Sequence, residues 1–442
     1  MKKNKNAFTL IELLAVIVIL AVILVIAMPR ILDVIETSKK DSFKNAAQLI
    51  ADSAEKKKVS DKLLGKDEEI TCKDVAKISD EDYASCKITF DSEGNAKVSI
   101  TGKGKFDGLK ITNGTKENAE VKEITKPTYG MKATEYITNL LEYDGEGLKK
   151  DNTSDQNIRY YGADPNNYVS FNNELWRIIG VFGNNVKLIR NEKLGNLSWD
   201  SSESSINRGY GVNEWSQADL KNYLNTMYYE GTSVTCYNEK NNQTTTCPAN
   251  KLDETSKSLI DNHTWNIGAI DKTDTTIVNP ETFAINTVSF YKAERGTTNG
   301  KICNGRDACN DTVTRTTEWT GYIGLPYPTD YAYASSESDC ETNMNAGDID
   351  FDNGIFNMTC KKNNWMHHGT TMEIEDATWF MSPVADPDFA ANVWYVLGGG
   401  LTNDSCAAYP FSAFPTIYLK SNIIIESGKG TSSDPYILKA GS

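Results

Sequence analysis

From Leu13 to Met28 this chain is apolar without a break, within the stretch A-F-T-L-I-E-L-L-A-V-I-V-I-L-A-V-I-L-V-I-A-M-P from Ala7 to Pro29. At about 1.5 Å per residue, a helix begun at Phe8 is just long enough to cross the hydrocarbon core of a bilayer. One carboxylate, Glu12, sits inside the stretch. A charge within a membrane helix costs about 2.5–3.5 kcal/mol or more, so Glu12 asks for a partner or a function. Lys2, Lys3 and Lys5 precede the span, and positive flanks of this kind stay on the cytoplasmic side. The expectation is a single pass through the cytoplasmic membrane, with everything beyond the span outside the cell.

Three readings of this segment compete. A secretory signal has a shorter apolar core followed by a small-residue cleavage site, and no A-x-A follows Met28. A plain anchor accommodates the length but leaves Glu12 unexplained. The third reading is a resemblance: K-N-A-F-T-L-I-E-L-L is similar to the leader and processing site of type IV prepilins and pseudopilins. That resemblance implies cleavage between Ala7 and Phe8 by a prepilin peptidase, then N-methylation of Phe8. It also implies that Glu12 pairs with the terminal amine of a neighbouring pilin subunit, and that Pro29 stands where pilins commonly kink the helix. Ala7 departs from the pattern, since the family usually has Gly there.

Charge and cysteine usage follow from export. The 442 residues carry a formal net charge of −14, which argues against nucleic acid as a partner, because phosphate binding needs a basic footprint. All nine cysteines lie beyond the span, in a setting where disulfides persist. Sequence proximity suggests Cys72 with Cys86, Cys236 with Cys247, Cys303 with Cys309 and Cys340 with Cys360, leaving Cys406 over; spacing alone does not fix connectivity. Zinc is disfavoured, as no C-x-x-C occurs and His263, His367 and His368 lack a ligand-like arrangement around cysteine pairs.

The fold class expected is α+β: a long membrane-spanning helix with a small antiparallel sheet, followed by a larger strand-rich domain. Residues 1–7 are the leader and 8–58 the long helix, its first half in the membrane. Ile31, Leu32, Ile35, Phe43, Ala46, Ala47, Leu49, Ile50 and Ala54 form its apolar stripe. Residues 59–125 make the small domain, with strands at Cys86–Phe90 and Ala96–Thr101 and a third at Gly104–Ile111. Residues 126–155 are the linker and domain entry, with a helix at Thr134–Tyr143. The outer domain is 156–442, and all eight tryptophans lie in it. Its strands are expected at Tyr168–Phe171, Glu174–Phe182, Val186–Arg190, Thr378–Ser382, Asn392–Leu397, Thr416–Leu419 and Ile423–Ile425. A helix capped by Ser216 should start at Trp215, with others near Leu252–Asp261 and Val288–Glu294.

Three stretches carry a further resemblance: N-N-Y-V-S-F-N-N-E-L-W-R-I-I-G-V-F, W-T-G-Y-I-G-L-P-Y-P-T-D-Y-A-Y-A and G-K-G-T-S-S-D-P-Y-I-L. Together they are similar to a domain of unknown function widespread in surface proteins of Gram-positive bacteria. The end of the chain, W-F-M-S-P with V-W-Y-V and P-T-I-Y-L, more loosely resembles the closing sheet of C-type-lectin-like modules. Related endings often carry Arg before the last Pro, where this chain has Phe414. The resemblance implies an extracellular module and no particular reaction.

No catalytic constellation stands out. G-x-S-x-G and H-E-x-x-H are absent, and the carboxylate pairs Asp386 with Asp388 and Glu373 with Glu375 are unremarkable in an acidic chain. Asp348, Asp350 and Asp352 ahead of Gly354 alternate as in calcium loops. Position 12 of that count is Thr359 where a bidentate Glu belongs, so an acidic solvated loop is the preferred reading. The expected function is assembly and display, as a minor or tip subunit presenting a surface domain for adhesion to an unidentified ligand, such as a glycan, without catalysis or a resident cofactor. The rivals are a membrane-tethered surface hydrolase and a pseudopilin of a DNA-uptake or secretion machine.

Overall fold

The computed structural model describes residues 10–66, 68–76, 79, 81–203, 209–296, 311, 315–350, 355–368, 377–386 and 390–441. The fold is α+β, and the chain divides into two compact units. The first is Met1–Lys126 with Glu142–Asp144, and the second is Pro127–Leu141 with Gly145–Ser442.

The first unit is built on helix α1, Leu10–Leu63, which passes through Pro29. Every described side chain from Leu10 to Ser38 is exposed, and this part is long and apolar enough to cross a membrane by length and composition. Burial begins at Phe43 and continues at Ala47, Ile50, Ala51 and Ala54, the i, i+4, i+7, i+8, i+11 series of one helix face. Leu49, expected on that stripe, is 66% exposed, and Ala51 takes its place because one helical step of 100° carries residue 49 off the covered face. The helix also outruns Lys58. Lys56 pairs with Asp52 at 2.6 Å and Lys57 with Asp61 at 3.0 Å, and such i, i+4 pairs favour continuation.

Four antiparallel strands in simple order cover that face: β1 (Tyr83–Phe90), β2 (Ala96–Gly102), β3 (Leu109–Gly114) and β4 (Val121–Glu123). Val98, Ile100, Leu109 and Ile111 meet the helix in one core. The segment expected to be a third strand from Gly104 starts instead as a 3-10 turn, Gly104–Phe106. Gly104 has φ +55°, and a Cβ there would lie 2.5 Å from the Glu81 carbonyl oxygen, so only glycine lets the turn drop Phe106 into the core. Glu55 ties helix to sheet, accepting from the Ala96 N–H at 3.0 Å and pairing with Lys116 at 2.6 Å.

The second unit contains two larger sheets. The first has nine strands, in the order Ile323–Gly324, Thr416–Tyr418, Asn185–Arg190, Glu174–Phe182, Tyr168–Phe171, Tyr436–Ala440 and Ile423–Ser427; Leu148–Lys150 and Ile158–Tyr160 join beside Glu174–Phe182. Asn172 and Asn173, at φ +56° and +58°, make the two-residue turn between Tyr168–Phe171 and Glu174–Phe182, as their tolerance of positive φ leads one to expect. The second sheet has six strands, ordered Gly195–Leu197, Phe411–Ala413, Thr378–Ala385, Asn392–Val396 and Thr402–Cys406, with Ile270–Asp271 pairing on Thr378–Ala385.

Tryptophans 176, 199, 215, 265, 365, 379 and 394 are almost wholly buried, so they build a core rather than a binding surface. The helix expected to begin at Trp215 under a Ser216 cap is compound. A 3-10 turn, Trp215–Gln217, is capped by the Glu214 side chain; it runs into Asp219–Asn222 and a wider π-turn, Tyr223–Tyr229. Glu214 accepts from the Ser216 N–H and hydroxyl, which moves the cap back by two residues.

Candidate functional site

The processing residues Ala7 and Phe8 lie outside the described residues. Glu12 falls in the first turns of α1, within the exposed apolar stretch. The described side chains of this stretch make an exposed apolar surface, which is stable in lipid or against other apolar protein surfaces. The geometry of the helix therefore separates two tasks. Its first half is long and apolar enough to cross a membrane, and its second half carries the β1–β4 sheet.

The structure joins Cys72 to Cys86, Cys236 to Cys247 and Cys340 to Cys360. The first links the helical turn Cys72–Val75 to β1. The second closes the hairpin of Cys236–Glu239 and Gln243–Thr245. The third encloses the hairpin of Gly347–Asp350 and Ile355–Met358. Cys303 and Cys309 lie outside the described residues. Cys406 is a free, half-buried thiol, and burial pushes its pKa up, which makes it a poor nucleophile.

Asp348 and Asp350 stand on a paired strand rather than in a loop, whereas Asp352 lies outside the described residues. Among the described residues no three His, Cys, Asp or Glu side chains are grouped to hold a metal ion. His367 is 2% exposed with Nδ1 3.3 Å from the Tyr331 hydroxyl. His263 stacks on Tyr418 at 3.7 Å beside Asp261, and burial lowers its pKa. The two imidazoles are thus packed into separate surroundings. Of the carboxylate pairs, Asp386 bonds Lys272 at 2.8 Å; Asp388, Glu373 and Glu375 lie outside the described residues.

Sequence reasoning missed the densest charged cluster in the second unit. Asp330, in helix Pro328–Tyr333, pairs with Arg159 Nη1 at 2.6 Å through Oδ1 and with Lys187 Nζ at 2.5 Å through Oδ2. Arg159 Nε reaches Asp151 at 2.9 Å. All four side chains are at most 1% exposed. Tyr327 and Tyr418 place their rings 4.3 and 5.3 Å from Lys187 Nζ. Burial pushes Lys187 down to about 8 despite Asp330. Burial works to raise Asp330, but Lys187 and Arg159 hold it below the usual carboxylate range. No substrate reaches groups sealed to this degree, so the cluster clamps a helix to the nine-stranded sheet. The available signal was Lys187 itself, a cation inside the apolar run V-K-L-I.

Among the concave sites of the second unit is a cleft of about 410 Å³ between the loop following Ile270–Asp271 and the edge strand Thr402–Cys406. Its loop is pre-formed by side-chain caps: Asp271 on Thr273, Asp274 on Thr276, and Asn279 on Glu281 and Thr282. Asn345 ties the two walls together, donating to the carbonyls of Phe283 and Thr402 and accepting from the Thr402 N–H.

Residues 2–28 match the family described as the prokaryotic N-terminal methylation motif. No curated protein and no solved structure matches the chain. The match falls on the leader, the Ala7–Phe8 junction, Glu12 and the apolar helix together. The N-terminus is of prepilin type.

Proposed function

We propose that this chain is a pilin-like subunit, minor or at the tip, that enters a pilus or pseudopilus through α1 and displays its second unit for adhesion. The observation that carries the reading is a prepilin-type N-terminus on a helix whose described side chains from Leu10 to Ser38 are all exposed. Such a surface is stable only when lipid or other helices surround it. The prepilin motif implies processing by a prepilin peptidase and assembly with other pilins. The minor or tip assignment is an argument from bulk. The second unit, Pro127–Leu141 with Gly145–Ser442, far exceeds the sheet that α1 carries, and repeating it at every position would crowd neighbouring heads.

The test is amino-terminal sequencing and mass analysis of protein sheared from cells, with immunogold labelling of the filaments. The expected mature N-terminus is N-methyl-Phe8, and labelling should be sparse or terminal. Surface protein that still begins at Met1 would leave a plain membrane anchor. Dense labelling along the filament would remove the minor-subunit assignment.

A further inference from the structure

A net charge of −14 argues against phosphate binding by the chain as a whole, yet one face of the first unit runs against that average. Val98, Ile100, Leu109, Ile111 and Val121 turn one side of the β1–β4 sheet toward α1, so the alternate residues point away from it. Lys87 in β1 lies opposite Ser99 in β2, and Thr89 opposite Lys97. Thr101 in β2 lies opposite Lys110 in β3, and Lys110 opposite Lys122 in β4. The outward face thus carries one lysine on each of its four strands. The only acid in those strands is Glu123, which turns to the helix side and pairs with Lys40.

Lys110 donates to the Glu142 carbonyl at 2.5 Å. The ammonium groups of Lys87, Lys97 and Lys122 form no ion pair or hydrogen bond among the described residues. Lys87 and Lys122 are exposed, and Lys97 is partly so. Asp91, in the turn after β1, is held below the usual carboxylate range by the Asn95 N–H above all, with Lys97 a minor contributor; its carboxylate is engaged within its own turn. Lys110 and Lys122 face each other directly, which costs free energy between like charges in a unit with a modest apolar core.

The pattern selects the partner. At about 4.8 Å between neighbouring strands, the lysines extend roughly 14 Å from β1 to β4. One small anion cannot meet them all, whereas a chain of repeated negative charges can. Thr89, Ser99 and Thr112 place hydroxyls among them on the same face. Neither an aromatic ring nor an Arg stands there, so the face lacks the platforms and forks that read nucleic-acid bases. Lysine is a point charge, suited to a phosphate in any orientation. Because the sheet packs along the flank of α1, its outward face looks sideways from the helix, and a helix standing in a membrane holds it away from the lipid plane.

We infer that the outward face of the β1–β4 sheet binds a base-free polyol phosphate, a flexible phosphodiester chain whose phosphates meet Lys87, Lys97 and Lys122 and whose hydroxyls meet Thr89, Ser99 and Thr112. This goes beyond the proposed display of the second unit, since it gives the first unit a ligand of its own.

The probe is poly(glycerol phosphate), titrated by calorimetry against the full chain in neutral detergent micelles at several salt concentrations. Single-stranded DNA of equal charge is run in parallel. The polymer should bind, with an affinity that falls as salt rises by a log–log slope of about 0.7 for each phosphate engaged. DNA should bind at least about fivefold more weakly, lacking a platform for its bases. Lys87→Gln, Lys97→Gln and Lys122→Gln combined should weaken the polymer at least about tenfold and flatten the slope by about two. The unfolding midpoint of the first unit should hold or rise, because the repulsion at Lys110 is removed. The same exchange at Lys66, Lys150 and Lys251, exposed lysines elsewhere, changes net charge equally and should alter affinity less than about twofold, since distant charges are screened. No binding of the polymer at low salt would overturn the inference, as would a sheet-face variant that binds like the parent. An equal loss in both variants would reduce the attraction to net charge and overturn the site. DNA binding as tight as the polymer would overturn the base-free ligand. Filament entry, measured separately through Glu12→Ala, decides the pilin proposal, so either idea can fall while the other stands.

Discussion

Helix α1 covers four strands with Phe43, Ala47, Ile50, Ala51 and Ala54, whereas the second unit buries seven tryptophans and a closed set of charges in two adjoining cores. The first core uses small side chains because a helix must approach its sheet closely, and its modest apolar area leaves it dependent on Glu55, on Lys116 and on the Cys72–Cys86 link. The second core is large enough to stand on packing. It tolerates Asp151, Arg159, Lys187 and Asp330 at its centre because each charge meets an opposite one. A short sheet on a long helix thus leans on its few ties, whereas the large module has two links of its own, Cys236–Cys247 and Cys340–Cys360, and a much larger buried core besides.

The largest effect should come from the end of α1. Glu12→Ala is expected to be cleaved at Ala7–Phe8 and retained in the membrane, yet to fall at least about tenfold in filament entry. That loss is about 1.4 kcal/mol or more, a modest share of the cost of an unpaired carboxylate in lipid. The ratio of sheared to membrane-bound protein measures it, and parental assembly would show that Glu12 makes no assembly contact.

Next in size is Asp330→Ala, which strands two buried cations and should cost about 3–5 kcal/mol. In denaturant the unfolding of the second unit should shift down while the first keeps its midpoint. A loss under 1 kcal/mol would mean that the cluster is dispensable and the contrast between the units is overdrawn.

Cys72→Ser with Cys86→Ser tests the other side. Opening a link with a sequence separation of 14 should cost about 3 kcal/mol in the chain-entropy model. The loss should fall on the first unit alone, read by proteolysis of the β1–β2 hairpin. An unchanged cleavage rate would contradict the stapled picture.

A smaller, signed effect concerns pH. Lys187 titrates at about 8 in the fold, below the value of about 10.4 for a free lysine. Between those values the unfolded chain binds more protons than the native one, so this group makes stability rise with pH across that window. Buried tyrosines act oppositely above about pH 10: burial raises Tyr223 and Tyr228, so they hold protons that the unfolded chain releases, and stability falls. Urea titrations from pH 7 to 11 should show the rise and then the fall, and Lys187→Met should abolish the rise alone. If the substituted protein keeps the rise, another group is responsible.

Leu49→Gln should change stability least, within about 0.5 kcal/mol, because Leu49 is 66% exposed beside the buried face.

Much of this was legible in order along the chain. The apolar run, Pro29 and the helical stripe announced α1. Asn172-Asn173 and Gly183 announced the turns around Glu174–Phe182, because positive φ is a property of the residue itself. The short strands Gly195–Leu197, His263–Asn266, Ile270–Asp271 and Phe411–Ala413 escaped, since runs so brief carry no periodicity and exist only because a partner strand holds them. The helical stretch from Trp215 was expected, but its compound course and its cap escaped, as the cap is a carboxylate one residue before the expected start.

The sequence by itself determined an apolar helix with one carboxylate, its lysine flank, and the disposition of cysteines and tryptophans beyond it. Each is a local property, set by side-chain chemistry and backbone period. Only the tertiary structure decided which charges are neutralised. Arg159 and Asp330 are 171 positions apart and Lys187 and Asp330 143, and nothing in a linear pattern states that they meet. The structure likewise placed Trp394, Thr402 and Asp404 on one sheet face beside the Phe283 loop. Burial and hydrogen-bond satisfaction belong to that three-dimensional neighbourhood, because a polar group is costly or useful according to what surrounds it.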